Sequence, residues 1–315
     1  MAKTKLVIEL GSSNTVIYQV GYGIVLREPS VILTKEGKLL EVGLKAKKMI
    51  GKTETAFKVV EPIKNGQIVD EKSAILMLKA FLNKVVEGKT KIDATFVVSI
   101  GLTDNDLLMF RSVAYGCNIS NVKFVNTCLS GLIGAGVSAD KTSAVACVNL
   151  GGGTSNFAVI SLGKLIEGFS VTFGGIDMDK AIVKYVKDNK NIDISLSMAE
   201  KVKNECGSLF LQDTTNMEII GVDFDTKRPV TEIISSAEVR EAIISFFENI
   251  KSGIDHLLSG CTNDVIADIS LNGIVIIGGV ANFTGLENFL TKKLGIPVLI
   301  PDTPENYSVL GANNI

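Results

Sequence analysis

The sequence predicts an α/β protein built from two similar halves. Two stretches, Leu6–Ile17 and Cys147–Ala158, each read as an apolar strand, a polar residue two places before glycine, a turn of small residues and a second strand. In both halves strand hairpins precede alternating strands and helices, which is typical of duplicated α/β units. The 315-residue chain is 46% hydrophobic, enough for the cores of about two domains.

The first half is expected to begin with strands and to continue with alternating helices and strands. The predicted strands are Lys5–Leu10, Thr15–Val20, Gly23–Arg27, Ser30–Leu33, a charged hairpin over Lys35–Val42, Thr95–Ile100 and Val122–Val125. The predicted helices are Lys45–Ile50, Lys72–Val86, Asp104–Tyr115 and Leu129–Val137. Leu107, Leu108, Met109 and Phe110 are consecutive, so part of this apolar cluster must face outward or contact a partner.

The second half repeats this plan with additional elements. The predicted strands are Ala144–Leu150, Asn156–Leu162, Lys164–Thr172, a β-rich insert near Met217–Val230, Gly273–Ile277 and Pro297–Ile300. The predicted helices are one opening at Gly174–Asp177, then Ser197–Phe210, Ala237–Leu258 and Gly285–Leu294. Ser235 and Glu238 have the spacing of a capping box at the start of the third helix.

The two repeated turns predict a clamp that holds a phosphate chain from both sides. Glycine adopts positive φ freely and lets the backbone approach a ligand. Successive N–H groups in such a turn form an anion nest, to which Ser12, Ser13 and Thr154 add hydroxyl donors. The polar residue closing each first strand, Glu9 or Asn149, points into the same space and could hold a metal-bound water. One copy would indicate an ordinary β-hairpin, whereas two copies favour the clamp.

Composition excludes several classes of protein. The chain has 32 Lys+Arg against 34 Asp+Glu, a net charge of −2, so no electrostatic field attracts nucleic acid. The five cysteines are scattered and lack CxxC spacing, which is typical of a reduced cytoplasmic protein. His256 is the only histidine, so a Ser-His-Asp triad or a histidine metal cluster is hard to build. No apolar run reaches the ~18 residues of a membrane span.

A series of motifs resembles one superfamily over essentially the whole chain. These motifs are Glu9–Thr15, Gly23–Val31, Ile63–Asp70, Ile133–Gly136, Gly151–Thr154, Gly174–Asp177, Ala199–Ser208, Ile277–Asn282 and Leu294–Val298. They resemble the actin/heat-shock-70/sugar-kinase superfamily and, within it, the bacterial actins of the MreB family. Composition and motifs together are also similar to the divergent paralogues of wall-less swimming bacteria.

The resemblance implies an actin-like ATPase fold, with two ribonuclease-H-like halves that each carry a smaller subdomain. The implied ranges are 1–29, 71–138 and 303–315 for subdomain IA, 30–70 for IB, 139–177 and 246–302 for IIA, and 178–245 for IIB. ATP or ADP with Mg²⁺ would bind between the halves. Subunits would assemble with one another into head-to-tail filaments that serve cell shape or motility.

The resemblance also assigns residues to the nucleotide. The first turn, Gly11, Ser12, Ser13 and Asn14, and the second, Gly151, Gly152, Gly153 and Thr154, would line the β- and γ-phosphates from opposite sides. Glu200 and Lys203 match the positions that contact ribose and adenine. The adenosine loop would consist of Gly278, Gly279, Val280, Ala281 and Asn282. No side chain is expected to bind the metal directly, although Glu9 could hold one of its waters.

Three positions depart from the family pattern at the reacting end of the nucleotide. Glu9 replaces the aspartate of the first turn, neutral Asn149 replaces that of the second, and Thr127 stands where the family places a hydrolytic glutamate. Losing a base or a water-orienting group typically removes about 10²–10⁴-fold of rate. Hydrolysis is therefore expected to be slow or absent, whereas binding through backbone amides should remain.

Other functions stay open at this point. The protein could hydrolyse ATP at a normal rate if Glu9 and an ordered water replace the missing groups. It could also be a regulatory module that does not polymerise and binds filaments of other MreB paralogues. A sugar kinase is the least favoured, since no motif supplies a carboxylate base facing a sugar.

A membrane contact is a separate open question. The segment before the first strand is too short for an amphipathic helix, and the loop Gly88–Asp93 is mostly polar. A lysine-assisted contact at the inner face of the cell membrane remains open, with the basic group Lys45, Lys47, Lys48 and Lys52 as the candidate.

Overall fold

The computed structural model describes residues 3–88, 90–138 and 142–315 and contains two five-stranded sheets. The strands are β1 Lys3–Leu10, β2 Asn14–Gln19, β3 Gly23–Pro29, β4 Ile32–Lys35, β5 Lys38–Val42, β6 Phe57–Val60, β7 Ile63–Lys64, β8 Gln67–Ile68, β9 Lys91–Val98, β10 Ile119–Asn126, β11 Val145–Leu150, β12 Ser155–Ser161, β13 Lys164–Val171, β14 Ile192–Asp193, β15 Asn216–Asp223, β16 Pro229–Ser235, β17 Ile274–Ile277 and β18 Val298–Leu299. The helices are α1 Leu44–Lys47, α2 Glu71–Val85, α3 Asp104–Gly116, α4 Thr127–Gly134, α5 Gly175–Lys190, α6 Leu196–Cys206, α7 Ser236–Ser259, α8 Asn263–Asn272, α9 Leu286–Leu294 and α10 Tyr307–Ala312.

The two large sheets have the same topology, which confirms the predicted α/β duplication. The first has the order β10-β9-β1-β2-β3 and the second the mirrored order β13-β12-β11-β17-β18. In each, three consecutive antiparallel strands are followed by two parallel strands that continue the sheet on the side of the first strand. The repeated motif of the sequence therefore occupies equivalent places in the two sheets.

The two repeated turns also close with the same hydrogen bond. The Gly11 N–H donates to the Asn14 carbonyl oxygen at 3.0 Å, and the Gly151 N–H donates to the Thr154 carbonyl oxygen at 2.9 Å. A Cβ at Gly11 would lie 2.7 Å from the Asn14 carbonyl oxygen, and one at Gly151 would lie 3.0 Å from that of Thr154. The tight turn therefore requires glycine at the first position in both copies.

Helices α4 and α10 join the two halves. Cys128 and Leu132 of α4 are fully buried against residues of the second sheet, such as Val145 and Ile277. Helix α10 packs on the first sheet, and it approaches α4 so closely that a Cβ at Gly311 would overlap the α4 backbone. The core between the halves therefore depends on small residues in both helices.

Smaller sheets extend each half. One consists of β5, β4 and β6, a second of β14, β15 and β16, and a third is the two-stranded hairpin β7–β8. The capping box at Ser235 and Glu238 is confirmed at the start of α7, with the Glu238 N–H donating to Ser235 Oγ at 3.3 Å.

Several element boundaries differ from the prediction. Helix α6 ends at Cys206 instead of Phe210, because Gly207 adopts an extended conformation with φ of −77° and ψ of 126°. Helices α8 and α10 were not predicted. Strand β9 begins at Lys91, so the second part of the predicted loop Gly88–Asp93 belongs to the sheet, while Lys89 lies outside the described residues.

The apolar cluster on α3 is only partly buried. Phe110 lies in the core, whereas Leu108 is 60% exposed. Within the part of the chain that the structure describes, no helix combines the length and the apolar character needed to cross a membrane.

Candidate functional site

A cleft of about 1630 Å³ lies between the two large sheets. It exceeds the usual size of small-molecule sites, about 300–1,000 Å³. Apart from Ala281, the residues that the resemblance assigned to the nucleotide all line this cleft, whereas Ala281 lines a separate depression of about 390 Å³ beside Phe283. The fold thus brings together residues from positions 9 to 282, and their contacts with a nucleotide stay a prediction.

The two glycine turns face each other across the floor of the cleft. A Cβ at Gly152 would overlap the Ser13 side chain, and a Cβ at Gly153 would lie 2.6 Å from Ser12 Oγ. Only glycine therefore allows the two turns to approach in this way. Ser12, Ser13 and Thr154 line the cleft at these turns, and hydroxyls beside turn N–H groups are the donors that an anion-binding cradle uses.

A third turn, missed in the assignment of site residues, contacts both glycine turns. It is the Asn65-Gly66 turn of the β7–β8 hairpin, in which φ is 51° at Asn65 and 74° at Gly66. The Gly66 N–H donates to Ser12 Oγ of the first turn at 3.1 Å, and a Cβ at Gly66 would lie 3.2 Å from Thr154 Cγ2 of the second. Asn-Gly between two strands is a strong signal for this type of turn and could have indicated the hairpin.

Thr127 and Asn149 form a neutral hydrogen-bonded pair at the back of the cleft. Thr127 is the first residue of α4, after the N-cap Asn126, and is 3% exposed, while Asn149 near the end of β11 is 6% exposed. The Asn149 side-chain amide donates to Thr127 Oγ1. No carboxylate occupies either position, and each side chain satisfies the other across the two halves.

Glu9 places a carboxylate on the first-half side of the cleft. Its Oε2 accepts a hydrogen bond from the Ser308 hydroxyl of α10 at 2.7 Å. Burial raises the pKa of the Glu9 carboxyl, and the Ser308 hydrogen bond and the positive charge of Arg27 partly oppose this. A bound cation would favour the ionised form further.

Lys203 lies on the opposite wall, held by a buried carboxylate that the sequence did not indicate. Its Nζ lies 2.7 Å from Asp179 Oδ1 and donates to the Gly175 carbonyl oxygen at 3.1 Å. Burial raises the pKa of Asp179 to about 6; the nearby Lys203 lowers it and the negative charge of Glu200 raises it further. Asp179 therefore fixes the position of the Lys203 ammonium group.

Glu200 is paired across the cleft with Lys47 of α1, at 2.6 Å between Nζ and Oε2. The two residues are 153 positions apart in sequence, so no local pattern could have indicated this contact.

The predicted adenosine loop begins with a glycine at positive φ. Gly278 has φ of 93°, and a Cβ there would overlap the Asn149 side chain. Gly279 has no neighbour near its Cβ direction and is open to the cleft, whereas Val280 is buried. The Asn282 side-chain amide donates to Glu305 Oε2 at 2.9 Å, which ties this loop to the C-terminal segment.

Comparison with known proteins places this arrangement in a family. The family profile described as MreB/Mbl protein matches residues 3–315. The chain belongs to the MreB/Mbl family of actin-like cytoskeletal proteins. It is 32% identical over 314 residues to the cell shape-determining protein MreB of Escherichia coli (strain K12), covering 96% of this chain and 90% of that protein. It is 31% identical over 310 residues to the cell shape-determining protein Mbl of Bacillus subtilis (strain 168), covering 96% and 93% of the two chains.

Solved structures confirm the actin-like fold of this MreB/Mbl family member. The crystal structure of MreB5 of Spiroplasma citri bound to AMPPNP has a TM-score of 0.95 and 26% identity, covering 100% of this chain and 96% of that one. A structure of the same protein bound to ADP also gives a TM-score of 0.95. A MamK double helical filament has a TM-score of 0.84 at 16% identity, with 99% and 98% coverage, which shows the fold alone. The resemblance stated from the motifs is confirmed.

Proposed function

We propose that this protein binds ATP and ADP with Mg²⁺ in the cleft, assembles into filaments, and hydrolyses ATP slowly or not at all. The observation that carries the proposal is the neutral Thr127–Asn149 hydrogen bond at the back of an intact nucleotide cradle. The Spiroplasma citri relative, bound to AMPPNP in one structure and to ADP in another, supports the choice of ligand.

The residues of the cleft fit a nucleotide with its metal. The cradle of Gly152 and Gly153 leaves backbone N–H groups near the phosphates, and Ser12, Ser13 and Thr154 can donate from their hydroxyls. Mg²⁺ would neutralise phosphate charge, and Glu9 is the residue that could hold one of its waters. Lys203 and Glu200, on the opposite wall, would contact the adenosine part.

The Thr127–Asn149 pair explains why turnover should be slow. A hydrolytic site needs a group that accepts a proton from water or orients it, and a hydroxyl and an amide bonded to each other are poor bases at neutral pH. The expected loss is about 10²–10⁴-fold relative to a site with a well-placed base. Nucleotide affinity should suffer less, since backbone donors are unaffected.

Exposed apolar residues at two distant ends of the second half support self-association. Ile220, Val222 and Ile233 are 60%, 39% and 56% exposed on the outer face of the β15–β16 sheet. Leu162, Leu165 and Ile166 are 60%, 41% and 48% exposed at the β12–β13 turn.

Helix α7 separates these two surfaces. It follows β16 directly, and the residue after it, Gly260, lies next to Glu167 of β13. Its 24 residues span about 36 Å. Apolar surfaces at opposite ends suit head-to-tail contacts between copies.

Phosphate release and light scattering test the proposal together. The protein should scatter light with ATP and with a non-hydrolysable analogue, and it should release phosphate far more slowly than the Escherichia coli relative. The double substitution Thr127→Glu with Asn149→Asp should raise phosphate release, while Thr127→Ser serves as a control that keeps a hydroxyl.

Each alternative predicts a different result. Phosphate release by the unaltered protein at the rate of the relative would support a normally active ATPase. Saturable nucleotide binding without any assembly would support a regulatory partner of other filaments. Absence of saturable ATP or ADP binding would refute the proposal. The four-subdomain division and the lysine-assisted membrane contact also stay predictions.

A further inference from the structure

The cleft is closed at its mouth by one ion pair between the halves. Lys47 on α1 and Glu200 on α6 are 2.6 Å apart, and their side chains are 34% and 36% exposed. Among the ion pairs formed by residues 3–88, 90–138 and 142–315, this pair alone links the residues up to 138 with those from 142 onward.

The floor of the cleft is joined in a different way. There the Ile100 N–H donates to Asn156 Oδ1 at 2.9 Å, and the Thr127–Asn149 bond is buried. The floor is therefore joined by buried neutral hydrogen bonds, whereas the Lys47–Glu200 contact is an ion pair whose side chains are about one third exposed. Moving the two halves apart for a ligand to pass would separate Lys47 from Glu200.

The Lys47 charge also has a local role. Glu200 is close enough to Asp179 for its negative charge to raise the pKa of that buried carboxyl, and the positive charge of Lys47 lowers it. Lys47 thus offsets the repulsion between two neighbouring carboxylates. The Lys47 ammonium group donates to Oε2 of Glu200 and thereby orients Oε1 of the same carboxylate.

We propose that Lys47 slows the release of bound nucleotide. Its ion pair with Glu200 positions the Glu200 carboxylate and holds the mouth of the cleft closed. This inference rests on the proposed function, because it assigns a role in the retention of ATP and ADP. Nucleotide exchange then requires the ion pair to break, and its rate depends on the strength of that pair.

The first test measures dissociation of a fluorescent ADP analogue after addition of excess ATP. Lys47→Ala should release the analogue about two- to five-fold faster, as expected for a half-exposed ion pair, and Lys47→Glu faster still. Lys45→Ala is the matched control, since Lys45 lies on the same helix with a 79% exposed side chain and only a distant partner, Glu41 at 3.9 Å. Its release rate should equal that of the unaltered protein.

Salt separates a charge effect from a packing effect. Raising salt from about 0.05 M to about 0.5 M should accelerate release from the unaltered protein, because exposed charges are screened. The Lys47→Ala variant should lose this acceleration. Equal release rates for Lys47→Ala and the unaltered protein at low salt would overturn the inference.

A second measurement needs no nucleotide. Small-angle X-ray scattering of the nucleotide-free protein should show a wider molecule for Lys47→Glu and a return to the closed dimensions for Lys47→Glu with Glu200→Lys. Identical scattering from the unaltered protein, the single variant and the double variant would show that this ion pair does not hold the cleft closed, even if nucleotide binds normally. If the unaltered protein bound no nucleotide, the proposed function would fail, and the scattering result would still decide whether the ion pair closes the cleft.

Discussion

The buried Asp179 carboxylate should make the stability of this protein depend on pH in a defined window. The Asp179 side chain is only 9% exposed, and its Oδ1 lies 2.7 Å from Lys203 Nζ. Its pKa is raised from an ordinary value of 3.8 to about 6, chiefly by burial. The folded state therefore binds a proton more readily than the unfolded chain between these two values, and stability must rise as the pH falls through 6.

The size of the effect follows from the shift. Each pKa unit corresponds to about 1.4 kcal/mol, so the full shift amounts to about 3 kcal/mol once the pH is below both values. Between pH 7 and pH 5 the Asp179 carboxyl alone should add roughly 1 kcal/mol to the free energy of unfolding. Asp179→Asn removes the titration, and its stability should lack this increment.

Urea unfolding at pH 7 and pH 5, followed by circular dichroism, measures the difference. The quantity of interest is the change in free energy of unfolding between the two pH values, compared between the unaltered protein and Asp179→Asn. Asp188→Asn on the same helix is the control for the loss of one negative charge, since the Asp188 side chain is 51% exposed. Its free energy of unfolding should change with pH as that of the unaltered protein does. If Asp179→Asn kept the full pH dependence, the reasoning from burial would be wrong.

Three further predictions concern the contacts between the halves. Thr127→Val leaves the buried Asn149 amide without its acceptor and should cost about 1–3 kcal/mol, visible as a melting temperature lowered by several degrees, whereas Thr127→Ser should be close to neutral. Gly152→Ala places a methyl group against Ser13, which pushes the two turns apart and should weaken ADP binding in a titration. Unchanged affinity for ADP would contradict the cradle. Gly311→Ala forces a Cβ into the α4 backbone and should lower the melting temperature more than either; an unaltered melting curve would show that α10 is not needed for packing.

The parts of the fold that could be predicted are those determined by local sequence pattern. The repeated strand–turn–strand unit, the capping box at Ser235 and the buried strand before Gly278 each depend on neighbouring residues. Helix α8 was missed because only Ile269 is buried along its length, so it has little apolar periodicity to detect. Helix α10 was missed because packing against α4 determines it.

The same distinction holds in the site. The two glycine turns were identified because backbone geometry requires particular residues there. The partners of Lys203 and Glu200 were not, because Asp179 and Lys47 reach them only through the tertiary fold. Ala281, which its place in a motif assigned to the nucleotide, lies in a short 3₁₀ turn over Gly279–Asn282 and lines the separate depression, so its contact with a nucleotide stays a prediction.

The position of α10 has a consequence for the order in which the protein can be completed during synthesis. All five strands of the first sheet are made by residue 126, yet Val309 and Ala312 at the far end of the chain pack on Val7, Val16 and Val97 of that sheet. During synthesis, this valine-rich surface of the first sheet therefore stays uncovered until α10 has emerged from the ribosome. The sheet that is made first is covered only after nearly 190 further residues have been added.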